Sequence, residues 1–370
     1  MIKVCHLSSV HQRNDTRIFL KECMSLSMNF NVSLVIADNL GNELKNKINI
    51  FDVGKSNGRL KRLLITSKKI YNKAIELNCD IYHFHDPELI PIALKLKKNG
   101  KKVIFDIHEN IALQILNKEY IPKYLRKIIS NLYRNYEIKK LKKFDALILA
   151  ENSYYEYYKL LNKKIEIVLN MPDAVALNSF YSEKRIKNEI FYIGGISNNR
   201  GFVMYIKALK ILKNKLSDVF MHLIGPYNED LLKKTNLNEL KKAIKIYGSV
   251  PLTEALKYSI HSKVGISILK PIGNYKESYS TKIFEYMAIG LPVVTSKFKL
   301  YSEIVDKNNC GICVDPENPD EIAKAIEYIM THPKKAKEMG QNGRKLVEKK
   351  YNWSIEERKL NAFYTSLLQK

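Results

Sequence analysis

The sequence predicts an α/β protein of two doubly wound, Rossmann-like domains, on three observations. Its 370 residues exceed what one ordinary hydrophobic core organises. Short apolar runs alternate with helical patterns, which implies parallel sheets covered by helices. The alternation halts at NSFYSEKRIKN, residues 178–188, a polar segment with no apolar period, and then restarts. We therefore expect a first domain over 1–180, a second over 181–350, and a C-terminal helical segment over 351–370.

The elements follow in chain order. IKVCHLSS reads as the first strand and is followed by a helix from Ile18 to Met28. NVSLVIA, INIFDV, DIYHFH, KKVIFDIH, DALILA and IEIVLN complete the first set of strands. EIFYIGG opens the second set, with a helix after Gly201, and VFMHLIG, AIKIYG, VGISILK, PVVTS and CGICVD continue it. In the last segment Trp353, the only tryptophan, with Ile355, Leu360 and Phe363, is expected to anchor a helix across the domain junction back to the first domain.

Composition narrows the function classes. No window approaches 18 uninterrupted apolar residues, and the N-terminal strand lacks the apolar block and small-residue cleavage site of a signal peptide, so a soluble cytoplasmic chain is expected. The five cysteines are odd in number and scattered, against a disulfide framework. Cys310 and Cys313 form a Cys-x-x-Cys without a second pair at zinc spacing, inside what reads as a buried strand. A formal charge of +24 points to an anionic partner or surface. Nucleic acid and anionic lipid both satisfy it, as does a plain lysine bias of the whole chain. No nucleic-acid recognition motif accompanies the charge, and no such partner is expected.

Ligands of doubly wound sheets bind beyond the carboxyl ends of the strands, so the candidate residues are those that follow strands. ESYSTKIFEYMAIGLPVVTS, from Glu277, is the richest such stretch. Ser280 or Thr281 can cap a helix of about three turns that Gly290 and Pro292 end. The helix start with Lys282 suits an anion such as phosphate. On one continuous helix Glu277 and Glu285 would stand roughly 12 Å and about 80° apart, so sharing a ligand requires Glu277 to lie in the loop before the cap. An ordinary amphipathic helix with solvent-facing carboxylates fits the same residues.

FYIGGISNNRG places Gly194 and Gly195 at a strand end and Arg200 before a helix, in the manner of a phosphate-binding turn, although an ordinary turn with an exposed arginine fits too. DIYHFHDPEL puts His83 and His85 on one strand face and adds Asp86. A His-x-His pair can ligate a metal, but no third ligand follows at motif spacing, and no metal site is expected. Asp-x-Asp is absent from the sequence, which removes the simplest carboxylate platform for a divalent ion on a nucleotide. KKVIFDIHEN ends with His108 and Glu109. From Lys118 to Lys143 nine Lys and Arg flank a stripe of Ile121, Leu125, Ile128, Ile129, Leu132 and Tyr136. This stripe fits either a helix resting on anionic headgroups or one packed on its own sheet. GRLKRLLITSKKIYNK, from Gly58, favours the membrane-facing reading.

Together these motifs resemble a family 4 (group 1) glycosyltransferase of the GT-B fold, of the capsular polysaccharide and O-antigen type, over nearly the whole chain. GT-B implies two domains facing across a cleft. Glu277 and Glu285 match that family's Glu-x7-Glu motif, which implies Glu285 on the nucleotide ribose and Glu277 near the transferred sugar. His108 matches its histidine near the donor sugar. The HLSSVHQRNDTRIFLKE opening, with His11, Arg13 and Asp15, resembles its acceptor-side motifs, as do His85 with Asp86 and His108 with Glu109. One departure stands out. Where the family often has arginine and then lysine on the diphosphate, this chain has Gly195 and Arg200. The resemblance implies retaining, metal-independent transfer from a nucleotide diphosphate sugar, with UDP expected, and no cofactor beyond that co-substrate. The acceptor is expected to be a lipid-linked saccharide at the inner face of the cytoplasmic membrane. An epimerase or hydrolase of the same fold is the alternative, and a basic nucleic-acid-binding protein is the alternative from another class.

Overall fold

The computed structural model of the protein describes residues 1–118, 120–235 and 237–369; Glu119, in the basic stretch, and Lys370, at the end of the last segment, lie outside them. The chain forms two compact units: Met1–Asn170 with the segment from Ser354 onward, and Met171–Trp353.

Among the described residues the first unit holds eight strands: β1 (Lys3–Leu7), β2 (Asn31–Ile36), β3 (Glu43–Lys45), β4 (Ile48–Asp52), β5 (Ile81–Phe84), β6 (Lys102–Ile107), β7 (Ala146–Leu149) and β8 (Ile165–Ile167). They are ordered β3-β4-β2-β1-β5-β6-β7-β8, and every pairing is parallel except β3 with β4. β3 is absent from the sequence reading because its exposed Glu-Leu-Lys carries no apolar alternation. The central strands are buried on both faces, as expected of a parallel sheet covered by helices. Phe84 stacks on Phe105 at 4.4 Å and meets Phe144 edge-on. Each such buried ring contributes about 2–3 kcal/mol of hydrophobic stabilisation. The helix Trp353–Leu368 belongs to this unit from Ser354 on, and its Tyr364 hydroxyl bonds His83 Nδ1 at 2.7 Å.

The second unit holds β9 (Lys187–Ile193), β10 (Phe220–Ile224), β11 (Ile244–Ile246), β12 (Ser262–Ser267), β13 (Val293–Ser296) and β14 (Gly311–Val314), all parallel, in the order β11-β10-β9-β12-β13-β14. Its core runs from Ile190 and Tyr192 through Phe202, Leu209 and Met221 to Ile322 and Ile326. The unit begins at Met171, ahead of the polar segment 178–188. Residues 171–178 are tied into it: Pro172 accepts from the Trp353 N–H, Ala174 bonds Asn352, and Arg344 reaches Ala174 and Asn178. All five cysteines are buried free thiols, and burial pushes Cys310 and Cys313 up to about 12, so this pair stays protonated. Among the described residues no helix is long and apolar enough to cross a membrane.

Candidate functional site

In the first unit β2, β4 and β3 lie to one side of β1 and β5 to β8 to the other, and in the second β10 and β11 lie to one side of β9 and β12 to β14 to the other, so the strand order reverses beside β1 and beside β9. A crevice opens at such a reversal beyond the carboxyl ends of the strands. The candidate residues collect at both crevices.

In the second unit β9 runs into Gly194, at φ 128°, and Gly195. The turn passes so close to the end of β10 that a Cβ on Gly225 would lie 2.1 Å from the Gly194 carbonyl oxygen. Two cations lean on the same turn. A Cβ on Gly194 would stand 2.8 Å from Lys282 Nζ, and one on Gly195 would stand 3.5 Å from Arg200 Nη1. Glycine at 194 therefore leaves room for Lys282 against bare backbone, whereas a Cβ at 195 would only reach ordinary contact with Arg200. Lys282 is buried, with Nζ 4.4 Å from the centre of the Tyr192 ring and 3.3 Å from its hydroxyl. Burial, then repulsion from Arg200, pushes the ammonium down to about 7 against an upward pull from Glu285.

Lys282 and Glu285 ride on the helix Thr281–Ala288. At eight residues this helix is about two turns long, shorter than the three its sequence implies. Gly290, at φ 71°, closes it, its N–H bonding the Met287 carbonyl. Ser280 is the N-cap residue, yet its hydroxyl does not cap the helix. It lies 3.1 Å from the Ser267 hydroxyl at the end of β12, and Thr281 is already the first helical residue. The expected side-chain cap is thus replaced by a tie to the sheet, and the Ser280 hydroxyl leaves the helix start open, which suits an anionic ligand. Glu277 is exposed in the 274–278 turn that precedes the helix, its N–H on the Asn274 carbonyl. A pocket of about 370 Å³ beside Tyr181, Arg185 and Gly290 lies at the opposite, C-terminal end of the same helix, away from this cluster.

In the first unit β1, β5 and β6 are neighbours, and their ends carry Ser8 and Ser9, His85 and Asp86, and His108. Asp86 accepts from the Ser9 N–H at 2.6 Å and the Ser8 hydroxyl at 2.8 Å. His11 bonds Asp15 at 3.0 Å and stands 3.6 Å from Asp86. Burial disfavours its charged form, but the bond to Asp15 and the charge of Asp86 outweigh that and raise it. Asp15 also accepts the Arg17 and Ile18 N–H groups and is held well below the usual carboxylate range despite its burial. His85 is buried and pushed down to about 4 by desolvation, with Nδ1 3.2 Å from Asp106. His108, partly exposed, bonds the same Asp106 oxygen at 2.7 Å. A pocket of about 290 Å³ is lined by His11, His85, Asp86, His108, Glu109 and Glu137. Glu109 is exposed at its rim, bonded by Gln114.

Arg13 does not join this group. Its guanidinium bonds Asp38 twice at 2.8 Å, Glu43 at 2.9 Å and the Gly41 carbonyl, which makes it a structural clamp between loops. Other residues are more deeply involved than their sequence positions indicate. Arg17 forks onto buried Asp106 at 2.8 and 2.9 Å and meets buried Glu22 at 3.0 Å. Glu137 is a buried carboxylate raised to about 7, chiefly by desolvation. The signal for Asp106 was available, since it lies two residues before His108 at the end of β6; Glu137 was hidden in a run of lysines.

Residues 161–346, half of the chain, match the sequence family described as glycosyl transferases group 1. An uncharacterized glycosyltransferase of Methanocaldococcus jannaschii is 24% identical over 71% of this chain and 67% of its own length. The Campylobacter jejuni GalNAc-alpha-(1->4)-GalNAc-alpha-(1->3)-diNAcBac-PP-undecaprenol alpha-1,4-N-acetyl-D-galactosaminyltransferase is 22% identical over 54% of each chain, so this chain spans about half of that relative. Among solved structures, sucrose-phosphate synthase from Thermosynechococcus elongatus superposes with a TM-score of 0.76 at 15% identity, covering 100% of this chain and 99% of its own. Anabaena HepE in complex with UDP and glucose does so with 0.74 at 13%, covering 99% and 100%. At these identities the likeness is one of fold, the GT-B arrangement of two Rossmann-like units.

Proposed function

The chain belongs to the group 1 glycosyl transferases, and from that premise we propose that it moves a sugar from a UDP-sugar to a lipid-linked saccharide with retention of anomeric configuration. The observation that carries the donor half is the convergence of Arg200 and Lys282 on the Gly194–Gly195 turn beside an uncapped helix start. The departing diphosphate concentrates negative charge where these donors already point, and preorganised donors of this kind lower the barrier to its departure. Arg200 and Lys282 are assigned to that charge, a role that needs no divalent ion. Glu285 is assigned to the ribose hydroxyls and Glu277, in its turn, to the hydroxyls of the transferred sugar. UDP as the nucleotide is supported by the HepE complex of the same fold.

For the acceptor, the first-unit pocket offers His11, Asp86 and His108 to saccharide hydroxyls. A lipid-linked acceptor is supported by the undecaprenol-linked substrate named for the Campylobacter relative and by the surface of the unit. The helix Lys123–Leu141 buries only Ser130, Glu137 and Leu141. Tyr124, Ile128 and Leu132 on it are each more than half exposed, as are Tyr120 and, on the other basic stretch, Leu60 and Leu64. Arg59 lies 4.0 Å over the Tyr120 ring and joins the two stretches. Exposed apolar side chains among lysines and arginines suit an anionic membrane surface, so we assign the protein to the inner face of the cytoplasmic membrane as a peripheral enzyme.

The test is a product assay with a panel of UDP-sugars and undecaprenyl-diphosphate-linked saccharides. Acceptor-dependent release of UDP with a lengthened glycolipid supports the reading. Conversion of the donor without UDP release makes the protein an epimerase, and UDP release with free sugar makes it a hydrolase.

A further inference from the structure

Beneath the first-unit pocket, four residues from three elements meet in the interior: His6 of β1, His83 of β5, His85 just after it, and Glu22 of the helix at 18–26. The parallel register that places His6 directly opposite His83 creates the pair, and His85 lies two residues along on the same face. All four are essentially inaccessible to solvent, and one ligand-capable atom of each lies within 4.8 Å of the others. His6 Nδ1 stands 2.9 Å from His85 Nε2, and Nδ1 of His6 and Nδ1 of His83 each come to 4.0 Å from Glu22 Oε2.

Buried polar atoms are ordinarily hydrogen-bonded, and those left over call for an explanation. Here Nε2 of His6, Nε2 of His83 and Oε2 of Glu22 have no hydrogen-bond partner among the described residues, while Glu22 Oε1 is ion-paired with Arg17 Nε at 3.0 Å. Arg17 answers for Oε1 alone, and it also forks onto Asp106.

We propose that the first unit binds one divalent transition-metal ion, of the zinc class, through His6, Glu22, His83 and His85. Three imidazoles and a carboxylate are a donor set that such ions take in four-coordinate sites. The surroundings supply the outer partners these ligands use. Asp106 engages His85 Nδ1 while its Nε2 faces His6, and the Tyr364 hydroxyl bonds the His83 imidazole at Nδ1. Tetrahedral bonds of about 2.0–2.1 Å set ligand atoms roughly 3.4 Å apart, so loading opens the shortest contact by about half an ångström and draws Glu22 inward. The ion ties β1, β5, the 18–26 helix and, through Tyr364, the C-terminal helix into one body under the acceptor pocket. Its role is structural, and it is separate from the donor diphosphate.

The test uses the full chain, purified without chelator, with metals quantified by mass spectrometry. About one zinc-class ion per chain after gel filtration is expected, falling at least several-fold in Glu22→Gln and His83→Gln. Chelator-stripped protein titrated with Co²⁺ alone provides a readout that does not depend on the variants: intense visible absorption of tetrahedral cobalt, saturating near one equivalent, is expected. Metal well below a tenth of an equivalent, together with no cobalt spectrum, overturns the proposal and leaves a proton as the shared charge of the cluster. Full retention of metal in a folded Glu22→Gln and His83→Gln double variant overturns it as well.

Discussion

Lys282, assigned to the donor diphosphate, is expected to make donor binding depend on pH. With its ammonium pushed down to about 7 by burial and by Arg200, the unliganded protein carries that charge on about half of its molecules at pH 7. At pH 8 the fraction falls to about one in eleven, so a diphosphate that binds only the charged form loses roughly fivefold in affinity, or about 1 kcal/mol. Below pH 7 the gain is at most about twofold, and the nucleotide's own terminal phosphate, titrating near 6, offsets it. The sign is set by linkage. The bound state holds more protons on this lysine than the free state, so raising the pH through 7 weakens binding. Isothermal titration with UDP at half-unit steps from pH 6.5 to 8.5 reads this directly. Repetition at pH 7 in two buffers of different ionisation enthalpy counts the proton taken up, on the order of half a proton per site. Lys282→Met should bind more weakly at pH 7 and lose the slope above it. A flat profile in the parent protein, with UDP binding unchanged in Lys282→Met, would refute the assignment of Lys282 to the diphosphate.

Gly194→Ala places a Cβ 2.8 Å from Lys282 Nζ at φ 128°, so it should cost about 1–3 kcal/mol of stability by denaturant titration and weaken UDP binding more than tenfold. Arg17→Met removes the guanidinium that faces buried Asp106 and Glu22 and should destabilise the protein by roughly 3–5 kcal/mol, read as a clear fall in thermal midpoint; a shift within error would show that the pairs are not desolvated as they stand. Liposome flotation should recover the protein with vesicles rich in anionic lipid and not with neutral ones, and Leu60→Ser/Leu64→Ser/Ile128→Ser together should reduce that recovery. Equal recovery from both lipid mixtures removes the membrane reading.

The fold was legible because the physics that writes it is local. Central strands such as ALIL and IYHF are buried on both faces and read as continuous apolar runs, whereas the exposed edge strand Glu-Leu-Lys offers no such pattern. Glycines 194 and 195 were legible as a phosphate-binding kind of turn, and what the fold adds is that Lys282, 87 or more residues away in sequence, lies against it. Long-range pairing was not legible. Arg13 and Arg17 come from one loop with similar neighbours, yet one closes on Asp38 and Glu43 and the other on Asp106, 89 residues away. Ser280 sat where a capping hydroxyl belongs, and only the fold shows Ser267 competing for it. His83 and His85 were visible as a pair by the period of two. Their third and fourth companions, His6 and Glu22, come from a neighbouring strand and a helix some sixty residues or more away in sequence, a distance at which spacing carries no signal.

The most direct test of the central claim, that the Gly194–Gly195 turn and the Thr281–Ala288 helix form the donor half of a glycosyltransferase, is calorimetric titration of UDP into the parent protein and Glu285→Ala. The account predicts saturable binding to the parent and affinity at least about tenfold weaker, roughly 1.4 kcal/mol, in a variant whose thermal midpoint is unchanged. Equal affinity in the two proteins would contradict it.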